Sequence, residues 1–344
     1  MTVSLRAFLP AALSLVAALV VGALLLAASG SNPVDGYDAL VQGAFGTRYD
    51  LGETLVRALP LAIVALGVAP ALRAGVFTIG AEGQVILGAM AATAVVLALG
   101  DGAPSVVLIA AGAVAGAVAG ALWALLPALL RARLNVNEIL STLLLNYVAA
   151  AFLGWGLRTW LKTSESVPSP RSDNLPLGAA MPNLLEGTRL HWGIVLVPVA
   201  AIALAWWLRT PRALAYDIFD THRALARRAG VSAGRAIVVT MLVAGPMAGI
   251  AGWLKVTSVD GALYGSVAGG LGFTGILVAL LGGLRPLGIL LAAVLFGALS
   301  AGADGLQIDT GTPASLATVL QGLLLLAAAI GFEARRRRIA KEVA

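Results

Sequence analysis

The segment PSVVLIAAGAVAGAVAGALWALLPALL, residues 104–130, contains no charged side chain. An α-helix needs about 20 apolar residues to cross the roughly 30 Å hydrocarbon core of a bilayer, and this segment is long enough. Because lipid offers backbone groups no hydrogen-bond partner, such a run must be helical or belong to a closed barrel. Barrel strands alternate apolar and polar residues, and this segment does not alternate. The segment therefore predicts a transmembrane helix.

The composition extends this prediction to the whole chain of 344 residues. Hydrophobic residues make up 59% of the sequence and charged residues only 12%, about half the usual share for a soluble domain. We therefore predict an all-α polytopic membrane protein with about ten transmembrane helices. Their predicted positions are 8–29, 54–72, 76–99, 104–129, 139–157, 193–208, 236–255, 271–283, 287–303 and 314–332.

The distribution of basic residues predicts the topology. With the N-terminus in the cytoplasm, 16 of the 23 lysines and arginines fall in cytoplasmic segments, as the positive-inside rule requires. The chain is then one transmembrane domain, 1–344, with both termini cytoplasmic. The predicted segments outside the membrane are external loops 30–53 and 158–192, a cytoplasmic loop 209–235 and a basic cytoplasmic tail 333–344. The net charge of +6 reflects this topology and does not indicate a nucleic-acid partner.

Several kinds of chemistry lack a sequence signal. The chain has no cysteine and two histidines, so the sequence predicts neither thiol catalysis nor a metal site. It contains no phosphate-binding loop of the GxxxxGK[ST] form and no nucleophile elbow, so we predict no catalytic residue and no cofactor. If ATP drives this protein, a separate chain must hydrolyse it.

Small residues predict close packing between helices. GAVAGAVAG places Gly112, Gly116 and Gly120 on one helix face, and GPMAGIAG places Gly245 and Gly249 on another. Small residues at this spacing let helix backbones approach closely in lipid. The segments GVFTIGAEG and LGFTGILVA occupy predicted helices of opposite direction, which suggests an inverted repeat of two four-helix units.

Polar residues within the apolar segments are candidates for the substrate pathway. Glu82 and Gln84 lie in GVFTIGAEGQVILGAM, residues 75–90. Asn137 lies at the start of the fifth predicted helix, and Asn146 lies deeper in it, where it should face protein or a cavity. An ionisable residue inside a membrane is costly and often functional. Glu82 has two interpretations: it accepts backbone N–H bonds at a glycine-broken helix start, or it contacts substrate.

Four motifs resemble those of one transporter family. RAGVFTIGAEGQVILGAM, NVNEILSTLLLNYVA, RRAGVSAGRAIVVTMLVAGPMAGIAG and GFTGILVALLGGLRPLGILLAAVLFGALSAGADGLQ are similar, in this order, to segments of bacterial ABC-importer permeases for nucleosides and simple sugars. The similarity runs from about residue 35 to 332. Thr78 stands where the family usually has asparagine, and residues 211–222 lack the glycine expected there.

The resemblance implies a permease subunit in the bacterial inner membrane that imports purine nucleosides. Its implied partners are ABC ATPase subunits, a second permease subunit (a homologous chain or a copy of itself), an extracytoplasmic substrate-binding lipoprotein and membrane lipid. A short helix in loop 209–235 would dock on the ATPase through Arg223, Arg227 and Arg228, with Gly230 as its C-cap. The same arginines also serve as topology signals.

Three alternatives stay open. The resemblance is also compatible with a permease whose cargo is ribose, another simple sugar or a branched-chain amino acid. A proton-coupled secondary transporter would use Glu82 as its proton site and would need no ATPase. An integral membrane enzyme would need a catalytic constellation that the sequence does not contain.

Overall fold

The computed structural model describes residues 9–164, 169–211 and 232–313, together with residues 213 and 216 and part of the range 316–330. Ten α-helices lie within these ranges, and among the described residues strand pairing is limited to two isolated bridges. The prediction of an all-α protein is confirmed. The helices are α1 (Leu9–Ala28), α2 (Pro33–Phe45), α3 (Arg48–Arg73), α4 (Ala81–Leu99), α5 (Ser105–Leu134), α6 (Glu138–Gly156), α7 (Leu196–Trp207), α8 (Ala233–Leu254), α9 (Leu271–Leu281) and α10 (Pro286–Thr310).

Not every helix is long enough to cross a membrane. In the described part of the chain, six helices have the required length and hydropathy, and a seventh span results if the bent pair α1 and α2 counts as one. The predicted spans 193–208 and 271–283 correspond to shorter apolar helices. Helix α9 has 11 residues and rises about 16 Å, roughly half of a bilayer core. About half of the predicted span 314–332 falls outside the described residues.

The chain divides into two compact units, of which the larger is Leu59–Ala293. Its centre is a crossing of α4, α5 and α8 at glycines. A Cβ atom on Gly249 would lie 2.0 Å from the carbonyl oxygen of Gly116, and one on Gly120 would lie 2.2 Å from that of Gly245. These distances leave no room for a side chain, so the predicted close packing at the two glycine motifs is confirmed.

Helix α4 takes part in the same crossing through its own glycine. A Cβ atom on Gly88 would lie 2.4 Å from the Cα of Gly249. Conversely, a Cβ atom on Gly252 would lie 2.2 Å from the carbonyl oxygen of Val85. The three backbones therefore meet directly, and α4 is fixed along the middle of its length.

The smaller unit comprises Met1–Ala58 and Val294–Ala344. It contains an unpredicted helix, because residues 30–53, expected as an external loop, hold α2 and the start of α3. The Asn32 side chain accepts a hydrogen bond from the backbone N–H of Val34 at 3.0 Å, and Pro33 occupies the first helical turn. Both are helix-start signals, and α2 begins here at an angle of 113° to α1.

A charged pair lies within the smaller unit. The Arg57 guanidinium contacts the Asp304 carboxylate and donates to the Ser300 hydroxyl at 3.2 Å. The Thr54 hydroxyl donates to the carbonyl of Ala44 at 2.8 Å. These bonds join α2, α3 and α10 inside the unit, where apolar packing alone would not fix their rotation.

The segment between α6 and α7 is irregular, with 3₁₀ turns at Leu177–Ala179 and Trp192–Val195. It is fixed to the loop after α8 through Ser172, which is fully buried. The Ser172 N–H donates to the carbonyl of Leu263 at 3.0 Å, and its hydroxyl accepts from the Leu263 N–H at 2.9 Å. This reciprocal pair anchors the loop to the larger unit.

His191 is the buried titratable group of this segment. Its imidazole is 1% exposed, and Nδ1 accepts a hydrogen bond from the Gly193 N–H at 3.2 Å. Burial lowers the pKa of His191 to about 4, because the charged form would lose its hydration. The side chain is therefore neutral at physiological pH.

Candidate functional site

Two helices begin side by side in the larger unit, α4 at Ala81 and α9 at Leu271. The Glu82 side chain, in the first turn of α4, joins them. Its Oε1 accepts a hydrogen bond from the backbone N–H of Gly270 at 2.8 Å, and its Oε2 accepts from Gly272 at 2.7 Å. We name the junction as residues 79–84 and 270–272 together with the side chains of Thr142 and Asn146.

The junction requires glycine on the α9 side. Gly270, the N-cap of α9, has φ +83°, a left-handed conformation that residues with a Cβ rarely adopt. A Cβ atom on Gly272 would lie 2.1 Å from the backbone nitrogen of Glu82. The short distance between the two helix starts therefore depends on the absence of side chains at these two positions.

Helix α6 completes the junction with two polar side chains one turn apart. Asn146 is 5% exposed, and its Oδ1 accepts from the Gly83 N–H while its Nδ2 donates to the carbonyl of Ile79, both at 2.9 Å. The Thr142 hydroxyl accepts from the Ile79 N–H at 3.3 Å. Backbone groups freed by the break before α4 thus find partners on α6, as buried polar groups require.

Two buried polar atoms, Gln84 Oε1 in the junction and Trp123 Nε1 beside it, have no hydrogen-bond partner in the described chain. Gln84 is 1% exposed. A Cβ atom on Gly83 would lie 2.7 Å from Trp123 Nε1, so the indole N–H reaches the junction. An unpaired acceptor and an unpaired donor are each unfavourable in a folded protein, and a hydroxyl or a heterocyclic ligand could bond to either.

The electrostatics of the junction are dominated by helix ends. Each helix N-terminus carries a partial positive charge, and α4 and α9 present theirs at the same place. The Glu82 carboxylate lies in the first turn of one helix and accepts from the N-terminal N–H groups of the other. A single side chain therefore stabilises both helix starts.

The predicted pathway residues do not all lie together. Glu82, Gln84 and Asn146 lie at the junction. Asn137 is the exposed N-cap of α6, accepting from the N–H of Ile139 at 2.9 Å. It precedes Asn146 by nine residues, about 13 Å along the helix. Asn137 therefore caps the N-terminus of α6 and lies away from the junction.

The residues predicted to contact the ATPase, Arg223, Arg227, Arg228 and Gly230, lie outside the described residues. Sequence reasoning did not single out Thr142, Trp123, Gly270 or Gly272. The spacing of Thr142 and Asn146, four residues apart in an apolar helix, was the available signal for Thr142. Within the part of the chain that the structure describes, no group of three His, Cys, Asp or Glu side chains is arranged to hold a metal ion.

Comparison with known proteins gives consistent matches. Residues 51–329 match the family described as branched-chain amino acid transport system / permease component. The guanosine ABC transporter permease protein NupP of Bacillus subtilis is 32% identical over 331 residues, covering 94% of this chain and 93% of that protein. No solved structure matches the chain.

Two further relatives cover similar lengths. The nucleoside ABC transporter permease protein NupB of Lactococcus lactis subsp. cremoris is 30% identical, covering 93% of this chain and 90% of that protein. The glucose ABC transporter permease protein TsgB13 of Haloferax volcanii is 33% identical, covering 91% of this chain and 85% of that protein.

Proposed function

The chain belongs to the permease component family of branched-chain amino acid transport systems, and we propose that it is the membrane-spanning subunit of an ATP-driven importer of nucleosides. Two of the relatives above carry names that specify guanosine or nucleosides. Their similarity extends over nearly the whole chain, so it includes the junction. A sugar is the second candidate cargo, favoured by the glucose permease relative.

The position of Glu82 is the observation that favours a neutral cargo. Transporters that bind a substrate carboxylate can hold it at the N-termini of broken helices. Here the N-termini of α4 and α9 already share the Glu82 carboxylate, which would repel a second anion. This arrangement favours an uncharged nucleoside or sugar over a branched-chain amino acid.

Gln84 and Trp123 offer the hydrogen bonds that such a cargo needs. A nucleoside carries ribose hydroxyls and base-edge donors and acceptors, which can pair with Gln84 Oε1 and Trp123 Nε1. Asn146 is already committed to the backbone, with both polar atoms bonded at 2.9 Å. We therefore assign Glu82 and Asn146 to holding the junction and Gln84 to the cargo.

The proposed assembly contains other chains. ATP hydrolysis would occur on two ATPase subunits, which contact this chain through loop 209–235 and its residues Arg223, Arg227, Arg228 and Gly230. A second permease subunit would complete the pathway, and an extracytoplasmic lipoprotein would deliver the cargo at the outer face of the cell membrane. The basic residues support this orientation, with both termini and loop 209–235 in the cytoplasm.

Uptake in the native cells tests the proposal. Cells lacking this gene should lose import of radiolabelled guanosine, and a plasmid copy should restore it. Excess unlabelled adenosine should compete, whereas excess leucine should not. Competition by leucine, or import that persists when the partner ATPase is deleted, would contradict an ATP-driven nucleoside importer and would favour the alternatives.

The variant Gln84→Leu tests the cargo contact. Loss of one neutral hydrogen bond should lower uptake about 3–10-fold. Thermal stability should stay equal or rise, because the unpaired buried acceptor is removed. Unchanged uptake by this variant would remove Gln84 from the pathway.

A further inference from the structure

A cavity of about 210 Å³ lies between α3, α7 and α8 in the larger unit. It is apart from the junction and shares no residue with it. Every residue of its wall is apolar. The wall consists of Leu66, Pro70, Ala200, Ala203, Leu204, Trp206, Trp207, Val243 and Met247.

The size and lining of this cavity argue against a nucleoside or sugar as its ligand. Sites for drug-sized molecules usually occupy about 300–1,000 Å³ and include a few placed polar groups. This cavity is smaller, and its walls are hydrocarbon, indole and the thioether of Met247. The ligand that fits is a slender apolar chain.

Arginines lie at one end of all three helices that form the cavity. Pro70 is in the cavity wall, and Arg73 follows it by one turn on α3. Trp207, the last residue of α7, is also in the wall, and Arg209 follows it by two residues. Helix α8 carries Arg235 in its first turn. These three ends lie on the same side, because Ala71, Trp207 and Ile237 belong to one packed cluster.

The arginines at this end are available to a surface ligand to different degrees. Arg209 and Arg235 are exposed. The Arg73 side chain is partly committed, since it donates to the carbonyl of Leu284 at 3.5 Å. Trp206, on the cavity wall, is 70% exposed, which is typical of an aromatic side chain at the membrane interface.

We propose that this cavity binds one anionic glycerophospholipid of the inner leaflet. An acyl chain occupies the apolar cavity between α3, α7 and α8. The headgroup phosphate lies at the arginine end, where Arg209 and Arg235 neutralise it. Basic pockets between transmembrane helices on the cytoplasmic side are suited to anionic headgroups, and this is the side that the charge distribution predicts to be cytoplasmic.

Lipid retention by the purified chain tests the proposal. The full chain is reconstituted in bilayers of equal parts phosphatidylglycerol and phosphatidylcholine, extracted in mild detergent, and its bound lipid is measured by mass spectrometry. Wild-type protein should retain about one phospholipid per chain, enriched in phosphatidylglycerol. The double variant Arg209→Gln, Arg235→Gln should lose this enrichment, by about fivefold for each arginine, while still retaining a lipid. The double variant Arg48→Gln, Arg158→Gln is the matched control and should retain the wild-type preference.

A second pair of variants distinguishes loss of lipid caused by a filled cavity from loss of lipid caused by unfolding. Ala203→Phe fills the cavity and should abolish lipid retention, whereas Ile202→Phe, on an exposed neighbour that does not line the cavity, should retain it. Size-exclusion profiles of both variants establish that they fold. Equal retention of the two lipids by wild-type protein, or normal retention by a folded Ala203→Phe variant, would overturn the proposal.

Discussion

Replacing Glu82 by glutamine removes one of the two bonds that join the starts of α4 and α9. The glutamine keeps one oxygen, which can accept from either Gly270 or Gly272. Its NH₂ group then faces the other backbone N–H, so two donors oppose each other and one backbone N–H, either the buried one of Gly272 or the part-buried one of Gly270, loses its partner. The change is nearly isosteric, so the effect reports hydrogen bonding and charge.

The expected loss of stability follows from these contacts. A hydrogen bond to a charged group contributes about 1.5–3 kcal/mol, and its loss leaves a buried N–H unpaired. The interaction of the charge with two helix N-termini adds about 0.3–1 kcal/mol for each. We expect a loss of about 2–5 kcal/mol in the free energy of unfolding. For a domain of about 150–250 residues each kcal/mol lowers the thermal midpoint by about 2–4 °C, so this loss lowers it by about 4–20 °C.

The assay measures the thermal midpoint of the purified chain in detergent. The readout is the fraction of protein that elutes as a monodisperse peak after heating to each temperature. Glu138→Gln is the matched control, because Glu138 lies in the first turn of α6 and pairs with Arg131 at 2.9 Å nearer the protein surface. Partly exposed pairs contribute about 0–1 kcal/mol, so this control should shift the midpoint by only a few degrees. An equal shift in both variants would refute the junction as a stabilising contact. If Glu82→Gln lost uptake at full stability, Glu82 would instead contact the cargo.

Three further outcomes follow from the structure. Gly249→Ala should lower the free energy of unfolding by at least about 1–3 kcal/mol, because the added methyl group overpacks the helix crossing. Gly102→Ala, where a Cβ meets open space, should leave the thermal midpoint nearly unchanged. Equal midpoints for the two variants would contradict the close helix crossing. The unfolded chain protonates His191 near pH 6.5 and the folded chain near 4, so stability should fall by up to roughly 3 kcal/mol as the pH drops through this window and then level off. A melting series across that range, with His191→Gln as the comparison, should show a flatter pH profile for the variant. The chain has no cysteine, so single cysteines can report its topology. Leu177→Cys, at a 94% exposed position, should react with an impermeant thiol reagent added outside cells, whereas Leu134→Cys should react only after permeabilisation. The reverse labelling would show that the predicted orientation is wrong.

Local patterns predicted the features that depend on neighbouring residues. Hydropathy predicted the all-helical membrane fold, and the spacing of Gly112, Gly116 and Gly120 predicted close backbone contact with a neighbouring helix, though not that this helix is α8. The family resemblance, read from four motifs, is confirmed by the family match over residues 51–329. The Asn32–Pro33 start signal of α2 was also local and was missed, because its segment lies between two predicted spans and was assigned to an external loop.

Long-range partners were beyond the reach of sequence patterns. One of the two interpretations of Glu82 was that it accepts backbone N–H bonds at a glycine-broken helix start, and the donors lie at the start of α9, 188 residues away at Gly270. Nothing in the residues around Glu82 specifies that partner. The sequence placed Asn146 deeper in an apolar helix than Asn137, but both were predicted to lie on the substrate pathway. Burial separates them, since only Asn146 faces the junction.

Helix α4 has two contacts that depend on glycine, the junction with α9 and the crossing with α5 and α8, and together they restrict its movement. Its start is bonded to α9 through Glu82 and to α6 through Gly83, while its middle meets α8 at Gly88 and Val85 without intervening side chains. A helix packed backbone to backbone cannot slide or rotate by a fraction of a turn without steric overlap, because protein interiors resist continuous deformation. We therefore expect α4, α5, α6, α8 and α9 to move as one body during transport. Access to Gln84 must then come from displacement of this whole group relative to a neighbouring surface, since no single helix in it is free to open alone.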